Sequence, residues 1–176
     1  MKAFVRLVQR QAERKLRVPA DYLGRMGESS FSGFLKFLMF LPLARHCRRT
    51  NRALAHAARI VATQHEDCGP CVQIAVNVAL DEGMEPQVIL AVLERDHERM
   101  EDAVGLVVRF AEGVLARDGS EEAARSEIEA RFGATVLTEL SLAIATARVF
   151  PTVKRGLGFA RSCSSTRIAV EPSGGG

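Results

Sequence analysis

The stretch "RALAHAARIVATQHEDCGPCVQIAVNVALDEG", residues 52–83, decides the fold. Its first fourteen residues are rich in alanine and carry no strand-like alternation, so they read as a helix. Thr50 or Asn51 can cap its free N–H groups, and it runs to about His65. Cys68, Gly69, Pro70 and Cys71 then open a second helix. Proline tolerates the first helical turn, where its missing N–H has no partner to lose. That helix continues to about Glu82, and Gly83 fits its C-terminal cap.

Outward from this pair the pattern stays helical. Residues 2–16 set Phe4, Leu7, Val8, Ala12 and Leu16 on one face and Lys2, Arg6, Arg10 and Arg14 largely on the other. Pro19 and two glycines in "VPADYLGRMGESS" predict a loop over residues 18–30. A helix is expected from Phe31 to about Cys47, and a short one from Pro86. Over residues 98–117, Val104, Val107, Val108, Ala111 and Leu115 recur at three- and four-residue steps. Ser120, followed by two glutamates, marks the next start. The segment "ATVLTELSLAIATARVF" after Gly133 is apolar on almost every side, which predicts burial in the core or against another subunit. Pro151 is expected to end or kink it. The fold class is therefore all-α. Three regions are expected: a basic amphipathic helix and loop over 1–30, a helical domain over 31–161, and a Ser- and Gly-rich disordered tail over 162–176.

At 176 residues the chain suits one core, and hydrophobic residues at 47% and charged residues at 26% exclude a disordered or fibrous class. No apolar run reaches the roughly 20 residues of a membrane-spanning helix. Residues 1–16 lack the pattern of a secretory signal, so the expected localisation is cytoplasmic. In that reducing compartment a close cysteine pair points to catalysis or metal binding before structural cross-linking. The first fifty residues carry +8 and the rest −5, a bias that can attract anionic lipid, nucleic acid or an acidic neighbour.

Three readings of the cysteine pair compete. A helix N-terminus stabilises a thiolate, the reactive form, and favours Cys68. Cys71 lies one turn on, within reach for a disulfide, so the pair can cycle between dithiol and disulfide with no cofactor. A zinc site needs four ligands. No second paired motif exists, and His65, Cys47 or Cys163 would have to complete it. Plain packing suits Cys47 and Cys163 best. The tetrapeptide matches the thioredoxin active site, but that fold sets it after a buried strand and a tryptophan; this chain has no tryptophan and a helix upstream.

The helical context, the cysteine pair at a helix start and the text "VVRFAEGVLAR…FGATVLTELSLAIATARVF" resemble the carboxymuconolactone decarboxylase superfamily, in particular its alkylhydroperoxidase D-like branch, over roughly residues 30–160. The resemblance implies an alkylhydroperoxidase D-like helical bundle that assembles into homo-oligomers. It also implies a hydroperoxide substrate reduced by Cys68 and Cys71, with a dithiol partner restoring them. Two residues of that branch's proton relay differ here. Ala75 stands where it has a histidine, four residues after the second cysteine, and His56 where it has a glutamate, twelve before the first. His56, His65 and Glu66 are the candidates to replace the relay. The decarboxylase branch does not rely on the cysteine pair, so redox chemistry is favoured over lactone decarboxylation. His97, among "ERDHERMED", reads as a solvated residue between helices.

The expected function is thus a thiol-disulfide oxidoreductase or hydroperoxide reductase. The competing class is a non-catalytic scaffold or interaction protein that binds through residues 2–16, for instance at a membrane surface. Nucleic acid is the weakest partner, since the basic cluster has no interleaved aromatics.

Overall fold

The computed structural model describes residues 1–160 and 169–170. The elements in order are α1 (Lys2–Leu16), α2 (Asp21–Ser29), α3 (Phe31–Met39), α4 (Leu41–Ala44), α5 (Arg52–His65), α6 (Gly69–Asp81), α7 (Pro86–Glu94), α8 (Asp102–Ala116), α9 (Glu121–Phe132) and α10 (Ala134–Gly156). No strand occurs among the described residues, so the all-α class expected from the sequence is the one observed.

The central break forms for local reasons. The Asn51 side chain accepts from the Ala53 N–H at 2.8 Å and starts α5. Asp67 takes a left-handed φ of 45°, which aspartate tolerates better than most side chains, and so lets α6 turn back. Cys68 caps α6, its carbonyl accepting from the N–H groups of Cys71 at 2.8 Å and Val72 at 3.0 Å.

Helix α5 sits at the centre, against α6, α7, α8 and α10. Ile60, Val72, Val76, Ile89, Leu106 and Leu140 from these elements are sealed from solvent in one core. A second cluster joins α1, α2 and α3 through Val5, Tyr22, Leu23 and Phe34, with Val153 and Leu157 packed on it from the end of α10. The apolar face of α1 therefore turns inward at Val5, Val8 and Ala12, while Phe4 and Leu7 stay exposed.

Residues 21–29 are helical where a loop was expected. Their glycines are contact points between helices rather than breakers: a Cβ on Gly27 would lie 2.6 Å from both methyl carbons of Val5, and one on Gly24 would lie 2.5 Å from Gln9 Oε1. The helix expected over 31–47 divides at Phe40. Helix α10 runs through Pro151 to Gly156 instead of ending there. By length and composition α10 could cross a membrane; in this fold α4, α5 and α9 pack against it.

Helix α10 also fastens the connection between α4 and α5. The buried Glu139 carboxylate accepts from the N–H groups of Arg48 at 3.0 Å, Arg49 at 3.1 Å and Thr50 at 2.9 Å, and from the Thr50 hydroxyl at 2.7 Å. Burial alone would raise its pKa, but these hydrogen bonds outweigh it and hold the carboxyl at about 2. His46 Nε2 lies 3.6 Å from the same carboxylate. Of the expected tail, only Ala169 and Val170 are described, and Ala169 exchanges two hydrogen bonds with the Gln73 side chain.

Candidate functional site

Two helical stripes line a cavity of about 510 Å³. On α5 the stripe is Arg52, His56, Arg59 and Thr63; on α6 it is Cys71, Ala75 and Val78, continued by Glu82 at its C-terminal cap. Steps of three and four residues put each set on one face of its helix. The rest of the wall comes from α1, α2, α3, α4 and α10, with Leu16, Tyr22, Phe37, Leu41 and Phe150 making it largely apolar.

Cys68 and Cys71 are joined as a disulfide, with Cα atoms 5.2 Å apart. The two sulfurs have different surroundings. Cys68 is fully buried and absent from the cavity wall, whereas Cys71 lines it. The helix mouth that favours Cys68 from the sequence is sealed by packing, so access belongs to Cys71.

His56 lines the same cavity, and its Nε2 lies 3.1 Å from Glu82 Oε2. Burial and the nearby Arg59 charge hold its pKa below the ordinary 6.5, while the Glu82 contact opposes them. At neutral pH the ring is uncharged. With Nε2–H donated to the carboxylate, Nδ1 is the free basic nitrogen. Arg52 Nη1 lies 3.6 Å from the same Glu82 oxygen.

His65 and Glu66 are not on the cavity wall. His65 is exposed at the end of α5. Glu66 accepts from Arg148 Nε at 2.5 Å, and its carbonyl accepts from Arg155 Nη2, so it ties the α5–α6 turn to α10. His97 is exposed between α7 and α8.

Sequence reasoning passed over Glu82, Arg59 and Lys154 on the wall and read Cys47 as packing. The first two were legible, since they continue the stripes of Cys71 and His56. Cys47 and Lys154 are brought in by the chain's path alone. The Cys47 thiol donates to the Thr50 carbonyl at 3.3 Å, and burial pushes its pKa up. Lys154 is 3% exposed; its Nζ lies 5.0 Å from the Tyr22 ring centroid, and burial pushes its pKa down to about 8.

Among the described residues no three His, Cys, Asp or Glu side chains gather as metal ligands; Cys163 lies outside those residues. A second pocket of about 340 Å³, between Asn51, Leu54, Glu101, Phe132 and Val136, has neither sulfur on its wall. No family model, curated protein or solved structure matches this chain.

Proposed function

We propose that the protein is a thiol-disulfide oxidoreductase that reduces hydroperoxides through Cys71 and Cys68. The observation that carries this reading is the disulfide with one sulfur on the wall of a cavity that also holds a histidine–carboxylate pair. Starting from the dithiol, His56 takes the Cys71 proton through water in the cavity. The thiolate attacks the outer oxygen of the hydroperoxide and the O–O bond breaks. The imidazolium returns the proton to the departing alkoxide, leaving an alcohol and a Cys71 sulfenic acid. Cys68 then displaces hydroxide from that sulfur, which leaves as water with the Cys68 proton, and the disulfide closes. A dithiol partner supplies two electrons and two protons through a mixed disulfide and becomes oxidised itself.

Ala75 supplies no base one turn after Cys71, so His56 and the Glu82 carboxylate it contacts are assigned the proton transfer. No metal or organic cofactor enters the cycle. A reducing compartment such as the cytoplasm suits the dithiol partner. The resemblance to alkylhydroperoxidase D-like proteins is consistent with this chemistry, and homo-oligomer formation belongs to the same proposal.

The two cysteines have unequal expected roles, which gives the test. Cys68→Ser treated with hydroperoxide accumulates a sulfenic acid on Cys71, trapped by a dione reagent and seen by mass spectrometry. Cys71→Ser leaves a buried Cys68 that does not react. Reduced unmodified protein that keeps both thiols after hydroperoxide treatment would sink the reading.

A further inference from the structure

The charges on the cavity wall do not balance. Lys15, Arg45, Arg52, Arg59 and Lys154 line it against a single carboxylate, Glu82, which His56 and Arg52 already engage. Within this set Arg59 is exceptional. Its Nε and Nη2 are buried and have no hydrogen-bond partner among the described residues. Those two nitrogens form the edge of the guanidinium that grips a two-oxygen anion with parallel N–H bonds. A buried donor without an acceptor is costly, and more so when it is charged. Around it the wall is mostly apolar, with Leu16, Leu23, Phe37, Leu38 and Phe150 on it. A volume of about 510 Å³ falls in the range of small-molecule sites, roughly 300–1,000 Å³.

We infer that the cavity binds an amphipathic monocarboxylate: a hydrocarbon chain lies along the apolar wall and its carboxylate pairs with the Arg59 guanidinium. Resting on the redox reading above, the substrate class follows: a hydroperoxide carried on such a chain, delivered to Cys71 in the same cavity. A carboxylate supplies the acceptors that Arg59 lacks and offsets the surplus positive charge. A neutral alkyl hydroperoxide does neither.

Calorimetric titration of the full disulfide-form protein with dodecanoate and with dodecanol, both below micelle formation, tests the binding claim without any redox step. Dodecanoate is expected to bind about ten- to a hundredfold more tightly, less so as salt rises. Arg59→Met, which keeps an unbranched stem and removes the charge, is expected to bring dodecanoate down to the level of dodecanol. Equal affinity of the two ligands for the unmodified protein overturns the inference, and so does an unchanged dodecanoate affinity in folded Arg59→Met. If that variant does not fold, the comparison on unmodified protein decides. For the substrate class, linoleate hydroperoxide is expected to oxidise the dithiol pair at least about tenfold faster than cumene hydroperoxide at equal concentration; equal rates overturn it. Thiols inert to both peroxides in a protein that binds dodecanoate would remove the redox reading and leave the carboxylate site standing.

Discussion

At the scale of single residues, His56 has the most constrained pH behaviour. Burial and Arg59 depress its pKa below 6.5, so its basic form persists on acidification further than an ordinary histidine's would. The rate at which hydroperoxide closes the disulfide is therefore expected to fall on an acid limb centred below pH 6.5. His56→Gln is expected to lower that rate by about 10²–10⁴ and erase the limb. Stopped-flow mass analysis across pH checks both, and a limb centred above 6.5 contradicts the assignment. The position of His56 in the chain was legible as a candidate, because it stands twelve residues before Cys68. What it bonds was not, because Glu82 lies 26 residues away and meets it only when α5 and α6 fold back on each other. Cys68 shows the limit from the other side: a helix N-terminus can be read from sequence, but whether solvent reaches it depends on neighbours distant in the chain.

At the scale of elements, a buried carboxylate links α10 to the residues that lead into α5. Glu139 gathers three backbone N–H groups and a hydroxyl, and its folded pKa of about 2 lies below the ordinary 4.5. A depressed carboxylate contributes stability that is full above pH 4.5 and lost as pH falls toward 2. Glu139→Gln is expected to cost on the order of 1–3 kcal/mol at pH 7 and to flatten stability between pH 4.5 and 2, measured by urea unfolding at a series of pH values. Equal pH slopes for both proteins would contradict this role. The same helix shows why element boundaries were only partly legible. Its apolar pattern announces a core element, but passage through Pro151 is settled by packing on α4 and α5. The glycines of α2 likewise read as loop signals because their service as contact points depends on α1 lying across them.

At the scale of the molecule, α1 is a structural wall. Val5 belongs to the second core cluster, the Leu16 carbonyl accepts from Asn77 Nδ2 at 2.8 Å, and Val8, Ala12 and Leu16 line the cavity. Deleting residues 1–18 is expected to lower the thermal midpoint by several degrees and to weaken dodecanoate binding, followed by scanning calorimetry and titration. An unchanged midpoint would mean that α1 is not part of the packed unit. Assembly is the other expectation at this scale. Leu35, Met39 and Leu43 leave apolar surface exposed on α3 and α4, Met39 most of all at 77%, and these side chains suit burial by a second copy. Sedimentation velocity is expected to show an oligomer that Met39→Glu weakens; a monomer at all concentrations contradicts it.

The sequence by itself determined the helical class, the break between α5 and α6 and the placing of two cysteines one turn apart, because helix periodicity, proline at a first turn and capping act over a few residues. Only the tertiary structure decided that Cys71 and not Cys68 faces the cavity, that His56 meets Glu82, and that Lys154 shares their wall. Burial, charge pairing and enclosed volume arise between segments far apart in the chain, so no local pattern encodes them.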